Sequence, residues 1–221
     1  MIADIDGDFQ DFFNVKMPES VPILPVRNLV LFPGVVSPIL IGRESSKKLI
    51  RKAEKKGQII GVLSQRDPDV EAPLQDDLHE YGVYGRVVKQ LTLPNGNITA
   101  IVQAMGRMRL NTLVKSLPYL EGEVEAVPDV EPEKHDKEFK TAMENLRELV
   151  GEYINVTEEI PDEASFAIKN ITNDFMALNF ICCHMPFSMK EKMKLSTPGT
   201  VKERLFETMK IINREINLQN L

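Results

Sequence analysis

The chain has 221 residues, 43% hydrophobic and 27% charged, with a formal net charge of −6 at pH 7, an ordinary globular composition with room for one large domain or two modest ones. The acidic balance argues against nucleic acid as the main partner, because phosphate binding needs a basic face. Two adjacent cysteines, Cys182 and Cys183, cannot staple a fold and point to a reducing compartment; no window approaches the roughly 18 apolar residues of a membrane span, and the acidic N-terminus is no signal peptide. The expectation is a cytoplasmic protein without a membrane partner.

Residues 1–20 carry five acids against Lys16 and read as a flexible acidic arm. Val21–Arg43 then organises the rest of the chain. It reads as two apolar strands, Val21–Leu24 and Val36–Ile41, joined by a corner. Pro22, Pro25, Pro33, Gly34 and Pro38 mark edges, strand starts and bends, since proline fixes φ and donates no N–H. Glu44–Lys56 reads as a helix with Leu49, Ile50 and Ala53 on its apolar stripe, closed by Gly57. Ile59–Leu63 is a buried strand, and Arg66–Asp77 a loop.

Tyr81–Ala104 reads as a hairpin turned at Asn95-Gly96, the pair favoured in type I′ turns. A two-residue loop puts Leu93 opposite Ile98, Leu91 opposite Ala100, Thr92 opposite Thr99 and Gln90 opposite Ile101. Ile101 then stands as an exposed apolar residue on a polar face, and a one-residue slip reverses the faces. Met108–Val114 and Tyr119–Val127 are further strands, broken at Leu117-Pro118. The pattern is antiparallel in character, with one inserted helix and a sheet rolled toward a partly closed barrel.

Residues 128–136 hold two prolines and a charge cluster within VPDVEPEKHD and read as a linker between a β-rich domain, 21–127, and a helical bundle, 137–221. Beyond it the apolar period becomes 3.6. Phe139, Met143, Leu146, Val150 and Tyr153 form one stripe. Ile168, Ile171, Phe175, Leu178 and Cys182 form a second, and Leu205, Met209, Ile212 and Ile216 a third. Ser188 with Glu191, and Thr200 with Glu203, have capping-box spacing. The last amphipathic pattern is still running at Leu221, so the helix is expected to lead into a further module.

The string PILPVRNLVLFPGVVSPILIGRESSKKLI resembles the opening of the substrate-binding LON domain at the N-terminus of the Lon protease family. Five later pieces agree in order: Gln65-Arg66-Asp67-Pro68, Asp77-Leu78, Tyr81-Gly82-Val83, Leu93-Pro94-Asn95-Gly96 and Ala104-Met105-Gly106-Arg107-Met108-Arg109. The likeness runs from about Ile23 to Val127 and more loosely through the helical part. It implies an α+β fold, a PUA-like twisted antiparallel β-barrel with one inserted helix followed by a helical bundle. It also implies the non-catalytic recognition region of an ATP-dependent serine protease. ATP, Mg and a hexameric assembly belong to the full-length parent, whereas this region alone would be a monomer or weak dimer.

The chemistry visible in the residues agrees with a non-catalytic part. There is no G-x-x-x-x-G-K-[ST] string to hold a nucleotide phosphate. Gly42–Lys47 has the lysine without a second glycine and reads as a strand end and helix start. Ser45, Ser46, Lys47 and Lys48 read as surface rather than as a Ser–Lys dyad. Cys182, Cys183 and His184 point about 100° apart on a helix and cannot grip one ion. His79 and His135 have no partner in view, and Asp67, Asp69, Glu71, Asp76 and Asp77 lack EF-hand spacing. The expectation is no catalytic, metal or cofactor residue. What remains is exposed apolar surface, the usual mark of an interaction site. The candidates are Phe32, Pro33 and Pro38 at the proline corners, Leu93, Pro94 and Ile101 around the hairpin, and Met105 as adaptable surface. They would bind unfolded or damaged proteins. Alternative readings are an assembly or spacer domain supporting the hexamer, and a stand-alone ligand-binding adaptor.

Overall fold

The computed structural model describes residues 16–221. The chain divides into two compact units at Pro128–Asp129. Most of the expected arm, 1–15, lies outside the described residues. Its end already belongs to the first unit: Met17 packs against the core, and Glu19 O accepts the Val124 N–H at 2.9 Å.

The first unit is one mixed sheet. Its strands are β1 (Ser20–Val26), β2 (Val36–Ile41), β3 (Ile59–Ser64), β4 (Tyr81–Thr92), β5 (Ile98–Lys115) and β6 (Glu121–Ala126), with helix α1 (Glu44–Lys56) between β2 and β3. The order is β2-β5-β4-β3-β1-β6, and β5 also pairs with β6. Five strands therefore close into a ring, and β2 hangs outside it on the first half of β5, from Val36 opposite Gln103 to Ile41 opposite Ile98. The second half of β5 pairs with β6, from Met108 opposite Ala126 to Lys115 opposite Glu121. Ile23, Leu63, Tyr84, Met105, Met108 and Leu110 fill the barrel.

The antiparallel expectation needs one correction. β1 and β3 run parallel, with Ile23 opposite Gly61 and Val26 opposite Ser64. Parallel neighbours need a long crossover, and here β2 and α1 lie within it. Helix α1 has the predicted bounds. Leu49, Ile50 and Ala53 are buried, and Gly57 takes φ 61° as its C-cap.

The hairpin is also one residue off the two-residue reading. Leu93 N–H bonds Asn97 O at 2.7 Å, and Gly96 N–H bonds Leu93 O at 3.0 Å. The loop is thus Pro94-Asn95-Gly96, with Gly96 at φ 86°, a three-residue connection whose left-handed position suits glycine. Leu91 faces Thr99, Gln90 faces Ala100 and Lys89 faces Ile101. Farther down, the ladder shifts register between Tyr84 and Gly85.

The second unit consists of α2 (Lys137–Val156), α3 (Asp162–Asn170), α4 (Asp174–His184), α5 (Met189–Ser196) and α6 (Val201–Gln219). Asp136 caps α2 by accepting the Phe139 N–H at 2.9 Å. The continuous second stripe is split, because Asn173 accepts the Met176 N–H at 3.0 Å and starts a separate helix. At α5 the expected capping box is reciprocal, with Ser188 N–H to Glu191 at 3.0 Å and Glu191 N–H to Ser188 Oγ at 3.1 Å. The segment expected to be a linker is pinned at its start. Val130 bridges Thr200, and the Asp129 carboxylate meets Arg204 at 2.6 Å with both side chains buried.

Gly85 is the tightest backbone approach at the register shift. A Cβ there would sit 2.2 Å from Gln103 O and 3.2 Å from Ala104 Cα, and backbone atoms cannot give way. Gly85→Ala is expected to cost about 2–3 kcal/mol, above the typical substitution. A fall in the urea midpoint at unchanged m-value checks it.

Candidate functional site

Strand alternation builds the candidate surface. On β2, Ser37, Ile39 and Ile41 are buried, whereas Pro38 and Leu40 point outward. Register then extends that outward row across three strands. Pro38 lies opposite Ile101, which lies opposite Lys89; Leu40 lies opposite Thr99, which lies opposite Leu91. Leu40 is 66% exposed and Leu91 48%. Val88 is 61% exposed where the register shifts between Val87 and Lys89. Leu93 continues the row toward the loop and is half-buried, as is Ile101, and Pro94 at the tip is exposed.

The structure therefore gathers Pro38, Leu93, Pro94 and Ile101 on or beside one outer face. It removes three of the other candidates. Phe32 is fully buried, with the Arg107 guanidinium 6.0 Å from its ring centroid. Pro33 is buried too. Their corner is tied down on β5, since Gly34 N–H bonds Ala104 O at 2.9 Å and Gln103 Nε2 bonds Gly34 O at 3.0 Å. Met105 is 1% exposed and lies in the barrel core. Leu40, Leu91 and Val88 were not among the candidates. Alternation along VSPILI was the available signal for Leu40; the ladder irregularity that turns Val88 outward leaves no local mark.

Beside this face an open groove of about 640 Å³ runs between Pro25, Val26 and Leu29 on one wall and Pro38 to Ile41 on the other. Arg27, Arg43 and Glu71 are its charged lining. Arg43 bonds the Gln65 side chain. Burial, and then repulsion from Arg27, hold its guanidinium below the usual pKa, against a smaller opposing effect of Glu71.

Several polar groups elsewhere have structural partners. Lys47 is buried and pairs with Glu44 of its own helix at 3.1 Å. Cys182 and Cys183 are buried, and Cys182 Sγ lies 3.2 Å from Thr208 Oγ1. Among the described residues no three His, Cys, Asp or Glu side chains gather to hold a metal, and no helix is long and apolar enough to cross a membrane.

A closed barrel with a hanging strand, an apolar outer face on that strand and a separate helical unit define the class: a barrel-and-bundle module. The chain belongs to the family of ATP-dependent protease La (LON) substrate-binding domains, whose pattern matches residues 20–214. It is 40% identical over 209 residues to a Lon protease of Flavobacterium johnsoniae, covering 95% of this chain and 26% of that protein. To a Lon protease of Parabacteroides distasonis it is 38% identical over 219 residues, covering 99% and 26%. The chain thus spans about a quarter of the length of these relatives. In fold it is similar to the N-terminal domain of a Mycobacterium avium complex Lon protease, with TM-score 0.64 and 18% identity over 90% of this chain and 98% of that one. It is likewise similar to a Lon N-terminal domain protein from Xanthomonas campestris, with TM-score 0.56 and 17% identity over 86% and 97%. The family resemblance and the α+β barrel-and-bundle expectation both hold.

One titratable group gives the helical unit a pH signature. His184 lies against Phe180 with ring centroids 4.2 Å apart and the planes tilted by 42°, and burial, then the Lys192 charge, push its pKa down to about 4. A histidine that folds neutral and unfolds to an ordinary pKa near 6.5 binds fewer protons when folded. Its contribution is therefore intact above about pH 6.5 and lost as pH falls toward 4. Allowing for its partial exposure, about 2 kcal/mol should disappear across that window. Comparing the pH dependence of urea unfolding for the wild type and His184→Gln isolates it, and the variant should show the shallower slope.

Proposed function

We propose that this chain is the client-recognition region of a cytoplasmic LON-family ATP-dependent protease, binding exposed apolar segments of unfolded or damaged proteins. The observation that carries the reading is the outer row of β2, β5 and β4, where Leu40, Leu91, Pro38 and Ile101 form apolar surface on a strand face that the barrel leaves uncovered. Membership of the substrate-binding family supports it. ATP and Mg would be bound, and peptide bonds cut, by modules outside this chain. Around a hexameric ring, several weak faces would act together through effective concentration.

A second reading, assembly of that ring, draws on the helical unit, where Phe166 is 67% and Phe206 42% exposed. Sedimentation separates the two: concentration-dependent dimers abolished by Phe166→Ser favour assembly, and a monomer that binds client favours recognition.

The client reading is tested with a Leu40→Lys/Leu91→Lys double variant. Both side chains are largely outside the core, so the melting temperature should hold. Losing about 1 kcal/mol or more of apolar contact at each should weaken binding of a permanently unfolded, fluorescein-labelled protein by at least about tenfold. Unchanged anisotropy titrations would exclude this face.

A further inference from the structure

β2 has an open edge as well as an open face. Among the described residues it pairs with β5 and with no other strand. Side chains alternate between the two faces of a strand, so a groove lined by four successive residues, Pro38 to Ile41, runs along the edge of that strand. The phase of the ladder says which backbone groups point there. Ala104 N–H bonds Val35 O at 2.9 Å, and the register continues from Val36 opposite Gln103. Antiparallel alternation then places Ser37, Ile39 and Ile41 in the bonded pairs. The N–H and C=O of Leu40 and the C=O of Pro38 turn to the free edge. Proline fits at that position because the ladder there requires no N–H from it.

Charge marks the same groove. Arg27 Nη2 and Arg43 Nη2 converge on one acceptor, Val70 O, at 3.4 and 3.3 Å. Neither is in an ion pair among the described residues, and Arg43 Nε is buried without a hydrogen-bond partner. Glu71 alone opposes them in the lining. Two guanidiniums against one carboxylate leave net positive charge beside an apolar trough, and paired guanidiniums match a carboxylate well.

We propose that the groove takes an extended client segment as an added strand on β2. Apolar side chains of the segment enter the trough, and an internal aspartate or glutamate lies between Arg27 and Arg43. This deepens the client-recognition reading and rests on it. Main-chain bonds to Leu40 and Pro38 supply sequence-tolerant affinity, and the carboxylate sets register, the division of labour expected of strand addition.

The test uses the full 221-residue chain and a labelled decapeptide of alternating valine and leucine with one central glutamate, blocked at both ends. Two versions carry N-methyl groups on opposite alternate sets of residues. One set should weaken binding at least tenfold and the other leave it within twofold, because only one edge of the peptide faces β2. Glutamate to glutamine should weaken binding about fivefold on the wild type and by no more than about twofold on Arg27→Gln, a variant that gives up only a long contact to Val70 O and leaves Arg43 as the single guanidinium. Equal tolerance of both methylated sets, indifference to the glutamate, no binding, or binding only by a peptide with a free C-terminal carboxylate would each overturn the proposal. If the peptide fails while an unfolded protein still binds and responds to Leu40→Lys/Leu91→Lys, strand addition falls and client recognition stands. If the unfolded protein also fails, both fall.

Discussion

The first unit depends on one strand serving three neighbours. β5 is 18 residues long and pairs with β4 along most of its length. It cannot keep one further partner on its other side throughout, because a twisted sheet that closes into a barrel carries the far half of a long strand around the ring. It therefore holds β2 with its first half and β6 with its second. The β6–β1 pairing completes the circle. β2 is what remains outside. Its uncovered face and free edge are both consequences of where β5 changes partners.

Glycines let that partner change happen without opening the core. The β4–β5 ladder slips at Gly85, where the backbone of Gln103 approaches too closely for any side chain. Gly106 sits under the Tyr84 ring, and an added Cβ would come within 2.8 Å of three ring and hydroxyl atoms. Bulges bend a strand and increase its twist, so these positions steer β5 from β2 toward β6. The same bending packs Met105 and Met108 inward, where an unbranched side chain fills irregular space. These two methionines therefore mark a curved interior rather than adaptable surface.

What could be read from the residues was local. Helix α1, its Gly57 stop, the Ser188–Glu191 box and the break in period at the start of the bundle each depend on a few neighbouring side chains, and each stands where the pattern places it. The errors involve distance in sequence. Pro33 and Phe32 mark a bend correctly, but whether a bend is exposed depends on what lies over it, here β5 some seventy residues later. Asn95-Gly96 marks the turn, yet Pro94 joins the loop and the faces of β4 shift by one. The parallel pairing of β1 with β3 is set by the crossover between them. The family likeness supplied the barrel as a whole, which local patterning left only partly closed.

The second unit solves a different problem. Arg204 is 4% exposed, and its three nitrogens bond Asp129, Asn179 and Leu195 O. A buried ion pair is weak evidence of net stability, though removing one partner is costly. Its geometric effect is clearer: it draws the start of the unit, the middle of α4 and the end of α5 onto α6. Anchored this way, the helices need little beyond their own core. The barrel face is the contrary case. Two leucines that are half to two-thirds exposed can contribute only about 2–3 kcal/mol together on burial, short of the roughly 4 kcal/mol of a millimolar complex. A face of that strength does not hold a client alone. On the proposed reading it must be helped by main-chain bonding along β2, by repetition around a ring, or by both, and weak single contacts keep release fast enough for many different chains to be sampled.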